Sequence, residues 1–235
     1  TLSSLILKRG GKIHYDSPAT RIEVQNGAVA AIQTAQDRFP ADKVVFAGDP
    51  RALSTGLLGE TVTKATSQQA TDPRSLSVYV WTFAAEPGGR DLSHRNVFFG
   101  RDPRTEFDPL AKGGMAQDPT LYICAQDAGR RGPGRFEIIM NAAPDTGASE
   151  AEAEACRILT FNTLKARGLT FSPEPDRTAL TTPMDFDRLF PASQGALYGR
   201  SPHGLMAAFH RPTARTKIPG LYLAGGGAHP GAGIP

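Results

Sequence analysis

Apolar residues along this chain follow two rhythms, and the places where one gives way to the other outline the fold. Leu2, Leu5 and Ile6 recur at helical spacing, and Gly10-Gly11 close the run with the glycine stop typical of a helix end. This predicts the tail of a helix that begins ahead of Thr1. A short extended piece follows at Lys12 to Tyr15. Arg21 to Val24 and Ala28 to Thr34 then read as strands, joined by Asn26-Gly27, the dipeptide best suited to a two-residue hairpin turn. Lys43 to Ala47 is a compact β-branched run, the pattern of a buried parallel strand. Asp49-Pro50 breaks it, and Arg51 to Leu58 predicts a short helix.

Alternation with period two takes over in the middle. Ser75 to Phe83 predicts a strand with Tyr79, Trp81 and Phe83 on one face and Leu76, Val78 and Val80 on the other. Apolar groups on both faces predict cover on both sides: core on one, something else on the other. Val97 to Phe99, Leu121 to Gln126 and Arg135 to Asn141 add three strands of an antiparallel or mixed sheet. Loops rich in Pro, Gly and Asp lie between them. Ser149 to Gly168 is the strongest helix. Ser149 followed by Glu152 makes a capping box, the glutamates favour the positive end, and Lys165 and Arg167 suit the negative end. Ala155, Cys156, Leu159 and Thr163 are its expected buried stripe. Prolines break up Ser172 to Pro202.

The chain returns through Ile218-Pro-Gly into a final strand, Leu221 to Ala224. That strand runs into Gly225, Gly226, Gly227, Gly231 and Gly233, with Ile234-Pro235 after them. Glycine lets backbone approach a ligand closely, and proline suits the first position of a helix. Strand, glycine loop and helix start together describe backbone N–H groups facing a ligand, often a phosphate. The alternative is a tight turn between strand and helix. The aromatic face carries two readings as well. Tyr79, Trp81 and Phe83, with Phe98, Phe99 and Tyr122 on neighbouring strands, are either ordinary core or the wall of a cavity for a large apolar ligand.

Composition narrows the chemistry. The 235 residues can hold one large domain or two small ones, and 25 glycines and 19 prolines imply many loops. A net charge of +3 is modest. Arg130-Arg131 and Arg211 to Lys217 are its only local concentrations, so no nucleic-acid partner is expected. Cys124 and Cys156 lack metal spacing and read as reduced thiols in a cytoplasmic protein's core. The five histidines, at 14, 94, 203, 210 and 229, show no metal-binding pattern. No Gly-x-Ser-x-Gly elbow, His-Glu-x-x-His motif or Walker A loop occurs. A glycine loop without nucleophile or metal fits redox chemistry performed by a bound cofactor.

The segment Gly220 to Pro235 resembles the C-terminal flavin signature of bacterial carotenoid desaturases of the phytoene desaturase type. Gly195-Ala-Leu-Tyr-Gly199, Pro202-His-Gly204, Phe209-His-Arg-Pro212 and Asp118 to Asp127 resemble the subgroup acting on 1-hydroxycarotenoids. The resemblance covers essentially the whole chain. It implies an α/β (α+β) protein: an incomplete FAD-binding Rossmann-like domain plus a substrate domain with a mixed or antiparallel sheet and helices. Residues 1–50 and 215–235 would belong to the FAD domain, and 51–214 to the substrate domain. The family's Gly-x-Gly-x-x-Gly fingerprint is absent here, and the resemblance places it upstream of Thr1. The missing N-terminal part of its own chain is then a required partner, without which flavin binding is expected to be poor.

By position, the resemblance puts Ala19 near the adenine of FAD. Gly226, Gly227 and Ala228 fall by its ribityl-diphosphate arm, and His229, Gly231, Ala232, Gly233 and Ile234 border the isoalloxazine. Tyr79, Trp81, Phe83, Phe98, Tyr122 and Phe209 would meet the carotenoid. The implied reaction removes a hydride and a proton across a C–C bond, and no residue stands out as its base. His229 is either a structural hydrogen-bonding group or a proton carrier. The implied setting is cytoplasmic, with peripheral association with the inner membrane because the substrate partitions into lipid. Competing readings are a carotenoid cis–trans isomerase, another flavin oxidase of the same fold, or an apolar-ligand binding module inactive alone.

Overall fold

In a computed structural model, every residue is described except Arg131, Ala148, Ile234 and Pro235, along with the side chain of Ala208. The helix start expected at Ile234-Pro235 therefore lies outside the described residues, as does half of the Arg130-Arg131 pair. The chain opens with α1 (Leu2–Lys8), capped by Thr1, whose hydroxyl accepts from the Ser4 N–H. Next come β1 (Ala19–Gln25) and β2 (Ala28–Thr34), an antiparallel hairpin, and β3 (Arg38–Pro40), which adds to β2. Asn26 and Gly27 both take positive φ, 51° and 82°, as the hairpin turn requires.

β4 (Val44–Phe46) is the expected parallel strand. Its partner comes from the other end of the sequence, β11 (Leu221–Leu223), with Val44 opposite Leu221 and Phe46 opposite Leu223. One expectation needs correction: Val44 is buried, but Val45 is 65% exposed. A two-stranded ladder covered on one side hides only alternate residues. α2 (Arg51–Ser54) and a 3₁₀ segment, Glu60–Ala65, cover that side. One apolar core joins Ile22, Val29, Val44, Leu53, Leu58, Val62, Leu221 and Leu223, so the segment just after residue 50 packs with the β4–β11 ladder.

The second core belongs to a larger antiparallel sheet. Its strands are β5 (Ser77–Gly89), β6 (Arg95–Phe98), β7 (Leu121–Ala125), β8 (Gly134–Ala142), β9 (Leu169–Ser172) and β10 (Leu180–Thr181), in the order β10-β5-β8-β7-β6. β5 runs six residues past Phe83 because its far half, Glu86 to Gly89, pairs with β9. α4 (Glu150–Ala166) crosses one face of this sheet, and both halves of its capping box are present. Its buried stripe is Ala153, Cys156, Thr160, Phe161 and Leu164. Ala155 is exposed, and Leu159 and Thr163 are only half-buried. The expected stripe is thus turned by about one residue: the helix lays down Phe161, whose ring meets Trp81 edge-on at 5.1 Å.

Two helices stand where the sequence suggested only loops: α3 (Pro103–Ala111) and α5 (Pro183–Leu189). Each begins with a capping residue followed by proline, Asp102-Pro103 and Thr182-Pro183, the usual opening of a helix. α3 is anchored by Glu106, a buried carboxylate that accepts from the Thr120 N–H (3.2 Å) and from Asn141 Nδ2 (3.0 Å). Among the described residues, no helix is long and apolar enough to cross a membrane.

Candidate functional site

Parallel strands β4 and β11 end side by side, and both run into glycine: Ala47-Gly48 after one, Ala224 to Gly227 after the other. Ligands of open α/β sheets bind in such crevices at the carboxyl ends of parallel strands. Here the crevice is a cleft of about 320 Å³ whose walls include Gly48, Asp49, Gly226, Gly227, Phe186, Phe190 and Leu197. A second cleft, about 250 Å³, lies between Tyr198, Pro202, Arg211, Pro230, Gly231 and Ala232.

Backbone donors are available at the first cleft. The Ala224 N–H donates to Phe46 and the Ala228 N–H to Gly225, while those of Gly225, Gly226 and Gly227 meet no acceptor among the described residues. Gly225 takes a φ of 105°, which disfavours any side chain there. A Cβ on Gly227 would come within 2.5 Å of Pro50 Cδ, so the loop lies directly on the start of α2. Unmatched N–H groups in a glycine loop after a parallel strand are suited to an anion, and Gly226 and Gly227 line the cleft. That set fits the diphosphate of a dinucleotide.

The charge beside this loop has the matching sign. Arg211 is buried, and its Nη1 donates to the carbonyls of Tyr198 (2.7 Å) and Gly226 (2.9 Å), while Nη2 donates to that of Arg200 (2.7 Å). Burial pushes its pKa down, as do Arg200 and Arg74 nearby; Asp49 opposes them. Asp49 is itself held in a short ion pair with Arg74 and accepts from the Arg51 N–H at 2.9 Å. Arg74 also donates to the carbonyls of Ser193 and Thr71. Arg211 has no carboxylate partner within ion-pair distance among the described residues. A buried cation held by carbonyl dipoles, with Asp49 close by but paired to Arg74, favours an anionic ligand nearby.

The same loops tie the glycine cluster to the large sheet. The Ser75 N–H donates to Gly199, the Leu197 N–H to Leu76, and the Tyr198 N–H to Ser75 Oγ. Gly199 in turn lies so close to Gly227 that a Cβ would stand 3.2 Å from its Cα. The beginning of β5 is therefore stitched to the crevice.

The two faces of the sheet differ sharply. Tyr79, Trp81 and Phe83 pair across with Met140, Ile138 and Phe136 on the face that α4 covers. Tyr79 and Trp81 are 2% and 0% exposed, and burial raises the Tyr79 pKa. These aromatic residues are core, not a cavity wall, and half-buried Phe98 packs against the same core. Of the expected substrate residues on the sheet, only Tyr122 points to the opposite face. There the register lines up Val80, Ile139, Tyr122 and Val97 in one row. Thr82, Glu137, Cys124 and Arg95 form the next. Thr82, Ala84 and Arg95 are exposed, Val97 is 45% exposed, and Val80, Ile139 and Tyr122 are half-buried. This face is open.

The expected flavin residues divide between two adjoining clefts, with Ala232 lying against Gly226. Gly226 and Gly227 line the first cleft, and Gly231 and Ala232 the second. Ala228 turns inward to the core of the β4–β11 ladder, so its side chain faces no ligand. His229 is exposed; its N–H donates to Pro212 at 2.7 Å and its ring lies nearly parallel to that of Phe209, centroids 6.4 Å apart. Phe209 is itself exposed and lines neither cleft. Gly233 is exposed, and Ala19 sits at the exposed start of β1 and lines neither cleft. Ile234 lies outside the described residues. The sequence reading missed Arg211, Asp49 and Arg74. Asp49 had a signal, an acidic residue just after a parallel strand and before a proline-started helix. Arg211 stood in the Phe209 to Pro212 segment without an assigned role. A wider hollow, about 970 Å³, lies beside α4 at Ile158, Leu159 and Thr163, and shares no lining residue with the crevice.

Comparison with known proteins gives this geometry a family. The chain is 51% identical over 239 residues to a hydroxyneurosporene desaturase of Cereibacter sphaeroides, covering 100% of this chain and 48% of that protein. It is 25% identical to a 1-hydroxycarotenoid 3,4-desaturase of a Flavobacterium species, covering 100% of this chain and 50% of that protein. The chain thus spans about half the length of the curated relatives it matches. A solved oxidoreductase of Methanosarcina mazei shares the fold with a TM-score of 0.52 at 16% identity, over 97% of this chain and 47% of that one. Residues 1–235 match the family described as flavin containing amine oxidoreductase, and the chain belongs to that family.

Proposed function

We propose that this chain forms the substrate-facing part of an FAD-dependent carotenoid desaturase acting on a hydroxylated carotenoid, completed by a further part of the same protein. The observation that carries this reading is a crevice with unmatched N–H donors and a buried arginine, hydrogen-bonded through Ser75 and Leu76 to the strand whose outer face carries a partly open apolar row. The first suits the anionic arm of a dinucleotide. The second suits a long polyene, since apolar ligands are held mainly by hydrophobic walls. The names of the relatives supply the substrate class.

Bound flavin would supply the two-electron oxidising chemistry that takes hydrogen from a C–C single bond. This chain's residues do the binding and orienting. Gly225 to Gly227 offer backbone donors to the diphosphate, and Arg211 holds the loop through Gly226 while contributing positive potential. Val80, Ile139, Tyr122 and Val97 exclude water and align the polyene. Holding an unreactive C–H at reacting distance is itself a large catalytic effect. On this reading residues around the β4–β11 ladder form the flavin-binding unit, and β5 to β10 with α4 form the substrate unit.

The same reading places the enzyme in the cytoplasm at the surface of the inner membrane, where such a substrate dissolves. Leu205 (98% exposed), Met206 and Phe209 form an apolar tip next to His229 that supports lipid contact. The test is anaerobic mixing of the FAD-loaded protein, expressed from its complete reading frame, with hydroxyneurosporene. Flavin bleaching with a red-shifted polyene product is the expected result. An altered polyene geometry with no net flavin reduction would instead mark an isomerase, and no reaction or binding would overturn the reading.

A further inference from the structure

Across the open face of the large sheet, polarity changes in a single step. The row Val80, Ile139, Tyr122, Val97 is apolar apart from one phenol, whereas the adjoining row is Thr82, Glu137, Cys124, Arg95. Glu137 sits in the middle of that second row, on β8 between Thr82 and Cys124. It is half-buried, and its carboxylate makes no hydrogen bond or ion pair with any described residue. Carboxylates to either side of it along β8 are engaged: Asp127 is bound by Arg135 and Arg130 toward one end, and Glu106 by Thr120 and Asn141 toward the other. Cys124 is already covered by His94 and Gln126, at 3.8 and 3.3 Å from its sulfur. Glu137 is the acceptor left facing outward beside an apolar track. A carboxylate in such a setting is costly unless something donates to it.

We infer that Glu137 is the specificity residue of this face: it accepts a hydrogen bond from the hydroxyl at the end of the polyene, with Thr82 alongside. The inference rests on the desaturase reading above. The spacing supports it. Rows on one face of a strand lie two residues apart, roughly 6.6 Å. A hydroxyl on C-1 is separated from the 3,4 bond by only three bonds along the chain. Anchoring the hydroxyl over the Glu137 row therefore sets the bond named in the Flavobacterium relative over the Val80–Ile139–Tyr122 row. A hydrocarbon end without the hydroxyl would leave Glu137 desolvated and unmatched, so discrimination arises from the penalty as much as from the bond.

The test uses the FAD-loaded protein from its complete reading frame, with Glu137→Leu and Glu137→Gln variants. Each is measured with hydroxyneurosporene and with neurosporene, for kcat/KM and for polyene binding read from quenching of tryptophan fluorescence. Because the Glu137 carboxylate has no partner among the described residues, both variants are expected to fold with an unchanged melting temperature. Glu137→Leu should lower kcat/KM and affinity for the hydroxylated polyene roughly 10- to 100-fold, while leaving or improving those for neurosporene. Glu137→Gln, which keeps an acceptor, should recover part of the loss. Equal loss on both polyenes, or no loss on either, overturns the role of Glu137 and leaves the desaturase reading intact. A wild-type protein that neither binds nor converts either polyene overturns both.

Discussion

The two faces of β5 hold similar numbers of apolar side chains, yet they have different fates. Tyr79 and Trp81 disappear under α4, locked against Ile138, Met140, Cys156 and Phe161. Val80 and its row stay open, with smaller and less aromatic side chains. The lesson is that ring content does not mark the ligand side. Large rings fill the space beneath a helix efficiently, because they bury much area in few side chains. A face meant for a long polyene needs flat, short side chains that leave room above them.

Trp81→Ala should separate the faces most strongly. Removing a fully buried indole leaves a cavity beneath α4 and is expected to cost about 3–5 kcal/mol of stability, read as a shifted denaturation midpoint. Ligand affinity of the fraction that remains folded should be unaffected. If instead stability held and polyene binding collapsed, the covered face would have to be the binding wall.

A second substitution addresses the crevice. Gly227→Val forces a side chain against Pro50 and must lift the loop from α2. FAD affinity of the complete protein should fall at least tenfold, about 1.4 kcal/mol, measured by equilibrium dialysis. Substitution of the exposed Gly233 should do much less. Equal effects at the two glycines would remove the argument for a structured cradle.

The smallest effect concerns the thiol on the covered side. Burial pushes Cys156 from the usual 9.0 up to about 12, against a weaker opposing hydrogen bond with Thr160. The native state therefore keeps its proton where the unfolded chain loses it. Stability from this group is complete below about pH 9 and drains away as pH rises toward 12. Denaturation midpoints at pH 8 and 10.5 should diverge in the wild type and diverge less in Cys156→Ala, where buried Tyr79 with its raised pKa remains. Cys156 should also resist thiol reagents in the folded protein at either pH. Rapid labelling would show that α4 does not seal this face.

Much of the framework was legible from sequence. The Asn26-Gly27 turn, the β-branched run of β4 and the capping box of α4 are local signals, and local geometry answered them. The pairing of β4 with β11 joins segments nearly 180 residues apart; the sequence indicated a parallel strand but could not name its neighbour. α3 and α5 were hidden because their proline openings lie in stretches dense with loop-forming residues. The division of β5 into two faces was readable, whereas the side that α4 takes was not, since both faces are apolar. Arg211 was opaque for a related reason: its partners are backbone carbonyls, which leave no trace in residue identity.

The open face is the claim on which the rest depends, and accessibility to a reagent tests it directly. Ile139→Cys, made in the FAD-loaded protein from the complete reading frame, places a thiol in the middle of the apolar row without touching the covered core. Its rate of maleimide labelling should be fast without ligand and fall at least tenfold when polyene is bound, roughly as occupancy rises. Labelling that is slow from the start, or that polyene leaves unchanged while binding is independently confirmed, would contradict the account.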